Sequence, residues 1–106
     1  MRKIEIQMLN AIDSKRNWTM DNTLVHIENG GGNPFGLRAE IYLHGNHIAD
    51  VINSNMVGDV ITPRIVDVNK ETLRQWSTPT TKSRLRALGA NVATRKGITY
   101  LDNVAI

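Results

Sequence analysis

Thr78-Pro79 and Leu88-Gly89 constrain this fold more than any other feature. They fix where a helix starts and stops in a chain whose other segments mostly alternate like strands. The Thr78 hydroxyl is suited to accept from a backbone N–H one turn inside the helix that would otherwise lack a partner. Pro79 falls at the first helical position, where its missing N–H costs nothing and its fixed φ suits a helix. Gly89 can take the left-handed conformation that ends helices. The spacing predicts a helix over 79–88 with Thr81, Leu85 and Leu88 on one inward face. Lys82 and Arg86 fall one turn apart on one flank, and Arg84 on the other. Trp76, just ahead of the helix, is expected in the core, with stacking on an exposed base as its alternative use.

This helix sits in the most cationic part of the chain. Between Lys70 and Lys96 there are seven cations (Lys70, Arg74, Lys82, Arg84, Arg86, Arg95 and Lys96) against Glu71 alone. The rest of the chain is net acidic, so an overall charge of only +3 conceals one basic region. Such asymmetry suits a phosphate backbone or an acidic protein, and a merely solvated face is the bland alternative. The 106 residues allow one modest core, expected as a single α+β domain over 1–106. Without cysteine there is neither a disulfide scaffold nor a thiolate metal site. No apolar run reaches the roughly 20 residues needed to span a bilayer, and the N-terminus lacks a signal-peptide pattern. A soluble, cytosolic protein is the expectation.

From the N-terminus, Ile4, Met8 and Ile12 with Leu9 and Ala11 predict an amphipathic helix over 2–16, a short strand being the competing reading. Lys15 and Arg16 would close it, and Trp18 would fold back onto the core. Thr23 to Glu28 reads as a strand with Thr23, Val25 and Ile27 on one side. Gly30-Gly31-Gly32 matches no phosphate-loop spacing and reads as a connection. Leu37 to His44 alternates, with Leu37, Ala39, Ile41 and Leu43 inward. Gly45-Asn46 is the expected turn to a partner strand over 47–52. Asn53 to Asn69 reads as one or two short strands with Pro63 at a bend or edge. Glu71 to Gln75 is read as a strand in preference to a helical turn. A hairpin around Lys96-Gly97 closes the chain, leaving Val104-Ala105-Ile106 as a tail. The class is α+β: a mostly antiparallel sheet with an N-terminal helix and a basic helix near 79–88 before a C-terminal hairpin.

The pattern Trp-x-Thr-x-Thr-Thr-Lys-x-Arg-Leu-x-Ala-Leu over 76–88 resembles a family of small proteins common in tailed-bacteriophage genomes. Leu43-His44-Gly45-Asn46-His47-Ile48-Ala49, Lys96-Gly97-Ile98-Thr99-Tyr100-Leu101 and the Asn17-Trp18 pair carry the same resemblance. Two departures stand out: the stretch 53–70 is longer than usual, and Arg86 replaces a frequent asparagine. The resemblance implies a phage accessory protein acting in the host cytoplasm and assigns no role to any residue.

For chemistry, the acids are scattered and Ser83 has no evident histidine partner, so no enzyme is expected. His26, His44 and His47 raise the question of zinc, but no acidic partner stands at motif spacing, and neither metal nor cofactor is expected. The favoured function is nucleic-acid binding with little sequence specificity, DNA before RNA. Thr80, Thr81, Lys82, Arg84, Arg86, Arg95 and Lys96 would meet phosphates around a helix start that carries no acid in its first turn. The alternative is a protein-interaction inhibitor or modulator of a host enzyme or defence factor, anchored by Tyr42 or Tyr100 with Arg38.

Overall fold

The computed structural model describes residues 2–28, 38–52 and 65–106. Helix α1 spans Lys3–Asp13 and is followed by strands β1 (Trp18–Met20), β2 (Thr23–Glu28), β3 (Arg38–Leu43), β4 (Asn46–Ile52) and β5 (Ile65–Val68). Two helices come next, α2 (Lys70–Gln75) and α3 (Pro79–Leu88), and then β6 (Val92–Arg95), β7 (Ile98–Leu101) and β8 (Val104–Ala105). The strands form an antiparallel meander of five in the order β1-β2-β3-β4-β5 and a separate antiparallel sheet of three, β6-β7-β8. The α+β class read from the sequence is the class found.

Alternation explains which side of the large sheet is covered. Val25, Ala39, Ile41, Leu43, Ala49 and Val51 are buried, while their strand neighbours Leu24, His26, Arg38 and Ile52 are exposed. Met8, Ala11 and Ile12 of α1 and Leu85 and Leu88 of α3 join the same core. Helix α3 touches α1, β4 and β6, so it couples the large sheet to the small one. Its ends are built as expected. Thr78 Oγ1 accepts from the Thr81 N–H at 3.2 Å, Pro79 opens the helix, and Gly89 caps it at φ +105°.

Several expectations change. Helix α1 ends at Asp13, because Ser14 caps it and Lys15 turns to φ +53°, so Lys15 and Arg16 lie beyond it. Residues 70–75 are helical, not extended: the Asn69 side chain accepts from the Thr72 N–H at 3.2 Å, and Leu73 is buried. That cap and the burial of one leucine outweigh the strand preference of Thr72. The first long hairpin turns at His44-Gly45, one residue earlier than expected. Both residues hold positive φ, as a two-residue hairpin turn of this kind requires, and Asn46 pairs with Leu43. Val104-Ala105 is a third strand, folded back by Asp102-Asn103 at positive φ. Trp18 does pack against the core. The triple glycine, Leu37 and the stretch around Pro63 lie outside the described residues.

Candidate functional site

The seven residues expected to face phosphate divide sharply. Arg84 is 6% exposed. Its Nη1 donates to Glu5 Oε2 at 2.8 Å and its Nε to Thr23 Oγ1 at 3.1 Å. Glu5 is itself buried; it also accepts from Ser83 Oγ at 2.6 Å and from the Arg2 backbone N–H at 3.2 Å. Burial alone would raise the Glu5 carboxyl, but the bonds from Ser83, Arg84 and Arg2 and the charge of Arg84 outweigh it. Its pKa falls below the usual glutamate value. Arg84 therefore ties α3 to α1 and β2 and does not reach outward, which corrects its place on a basic flank.

Lys82 is also drawn in: it is 9% exposed, and its Nζ donates to Thr94 Oγ1 at 2.6 Å. Thr81 is buried, and its hydroxyl lies 3.0 Å from that of Thr78. Thr80 is half-buried, whereas Arg86, Arg95 and Lys96 are exposed. Arg86 Nε donates to the Val92 carbonyl at 2.8 Å, and Arg95 lies over the Tyr100 ring at 5.3 Å. The Arg86–Val92 and Lys82–Thr94 bonds lay β6 antiparallel beside α3. The hairpin tip at Arg95-Lys96 therefore comes toward the N-terminal end of α3, where the first turn holds no acid. Trp76 is not a core residue; it is 50% exposed. With Thr78 and Thr80 it lines a groove of about 590 Å³ floored by Leu43 and Ile48.

A second cluster lies on the open face of the large sheet. Strict alternation would turn His47 inward with Ala49 and Val51. A bulge prevents this: the register passes from Ile41↔Ala49 to Tyr42↔His47, leaving Ile48 as the extra residue. His47 thus shares the open face with Asp50, and its Nε2 lies 2.7 Å from Asp50 Oδ1. His26 Nδ1 lies 2.9 Å from Glu40 Oε1, and the Tyr42 ring rests against that of His47 with centroids 5.1 Å apart. Cross-strand pairing sets Glu40 opposite Asp50 and Asp50 opposite Asp67. Desolvation and then the Glu40 and Asp50 charges raise the Tyr42 phenol above its ordinary value. Glu40 reaches His26 across strands, out of view of any motif spacing, whereas Asp50 stands three residues from His47 in the same strand and shares its face only because of the bulge. His44, at the turn, is exposed and lines the same cavity as His26, Glu40 and Tyr42, but it is not among the three residues, Glu40, His47 and Asp50, whose ligand atoms converge.

Fold and site together define a small α+β protein with two polar surfaces and no membrane-spanning helix among its described residues. A family model for the Kyanoviridae Gp96 protein matches residues 1–105, and the chain belongs to that family of phage proteins. No curated protein and no solved structure matches it.

Proposed function

We propose that this phage protein is a binding protein, not an enzyme, and that it binds nucleic acid in the host cytoplasm with little sequence preference, DNA before RNA. The observation that carries the reading is the alignment of β6 beside α3, which brings Arg95 and Lys96 toward a helix N-terminus free of acidic residues. Pro79 has no N–H and the Thr81 N–H is held by Thr78 Oγ1, so the Thr80 N–H, the helix dipole and the two cations are what suit successive phosphates there, and Arg86 extends the same strip. Thr80 flanks the terminus, whereas Thr81, Lys82 and Arg84 build the support. Contacts made mainly to phosphate carry no base readout, so affinity should depend on salt far more than on sequence.

The test is direct binding of labelled duplex and single-stranded oligonucleotides at low and moderate salt, with wild type and an Arg95→Ala/Lys96→Ala variant. Salt-sensitive retention that the double variant loses supports the reading; no retention by wild type at low salt overturns it. A second reading, interaction with a host protein, rests on Trp76, since a half-exposed tryptophan beside an apolar groove suits a protein-binding anchor. Its test is Trp76-dependent capture of one defined host protein, reproduced with the purified partner.

A further inference from the structure

We propose that Glu40, His47 and Asp50 bind a divalent transition-metal cation on the open face of the large sheet, with zinc as the matching ion. One ligand atom from each of the three lies within 4.8 Å of the other two. A tetrahedral ion with bonds of about 2.0–2.2 Å separates its ligand atoms by roughly 3.3–3.6 Å, so small side-chain rotations suffice. Two features of the backbone point to a cation independently of that spacing. The first is the bulge at Ile48, which re-aims His47 out of the core phase and onto the carboxylates. The second is the cross-strand row Glu40, Asp50 and Asp67: two successive like-charge pairs, which the Arg38 charge, already bonded to Glu28, offsets only in part and a dication relieves further.

The surroundings fit the same role. His26 Nδ1, 2.9 Å from Glu40 Oε1, orients that carboxylate as an outer-sphere partner, and the Tyr42 ring fixes the plane of the His47 imidazole. An imidazole in the set favours zinc over magnesium or calcium, which prefer oxygen ligands throughout. Three protein ligands leave a coordination position for water or an exogenous donor.

The experiment is calorimetric titration of the chelator-stripped full chain with zinc chloride, alongside cobalt chloride followed by visible absorption. Wild type should bind one equivalent saturably, with a tetrahedral cobalt spectrum and a raised thermal midpoint. H47A and D50N should lose that binding, and H26A should weaken it roughly 10–100-fold. H44A, at the nearby turn, should bind like wild type. Circular dichroism verifies that each metal-free variant is folded. The proposal is overturned by any of three results: wild type shows no saturable zinc binding, H47A binds as wild type does, or magnesium binds as tightly as zinc.

Discussion

Arg84→Ala is the most informative single perturbation of the fold, because Arg84 forms the buried ion pair that ties α3 to α1. The substitution removes a charge-assisted bond to Glu5, worth about 1.5–3 kcal/mol, and a bond to Thr23, worth about 0.5–1.5 kcal/mol. Ser83 and the Arg2 N–H still serve Glu5, which limits the loss. Breaking a buried pair by removing one partner costs about 3–5 kcal/mol, so the expected destabilisation is about 3 kcal/mol. With a urea slope of about 1–3 kcal/mol/M, the unfolding midpoint should fall by at least about 1 M. Acid unfolding offers a second readout. Glu5 titrates below its unfolded value, so its contribution is complete above that value and is lost as pH falls through the folded one. Without Arg84 the folded pKa rises, and the acid limb moves to higher pH. A cycle of E5Q, R84M and the double variant should give a coupling of about 1–3 kcal/mol. A loss below about 1 kcal/mol for Arg84→Ala, with no coupling to Glu5, would refute the argument.

Leu85→Ala should cost about 2–5 kcal/mol in chemical denaturation, since Leu85 is fully buried where α3 meets the core. Thr78→Ala removes the cap on the Thr81 N–H and should cost about 1 kcal/mol in the same assay, with Thr78→Ser close to neutral. Arg38→Ala should leave nucleic-acid retention unchanged, because Arg38 pairs with Glu28 at 2.7 Å on the acidic face of the sheet.

Local chemistry carried much of the fold into the sequence. The alternation of Thr23 to Glu28 and of Ala39 to Leu43 gave the buried face, because a half-covered sheet must alternate. Thr78, Pro79 and Gly89 bounded α3, because caps act within one turn. What escaped depends on contacts that no local window contains. Glu5 and Arg84 stand 79 positions apart, so charge density alone made Arg84 look like a surface cation. The same reading placed Trp76 inside on hydrophobicity, although α2 ends immediately before it and leaves it half-exposed. The His47–Asp50 contact needs the bulge at Ile48, and a period of two hides it. Asp102-Asn103 was a usable turn signal, and two positive-φ residues there produced the eighth strand.

The functional account rests on phosphate contacts at the α3 N-terminus and the Arg95-Lys96 tip, and the salt dependence of binding measures them most directly. Each neutralised phosphate on duplex DNA contributes about −0.9 to the slope of log K against log salt. The account predicts a steep negative slope for wild type. Replacing Arg95 and Lys96 by alanine should make it shallower by up to about two units, without changing preference among sequences of equal length. A slope identical in wild type and the double variant would contradict it.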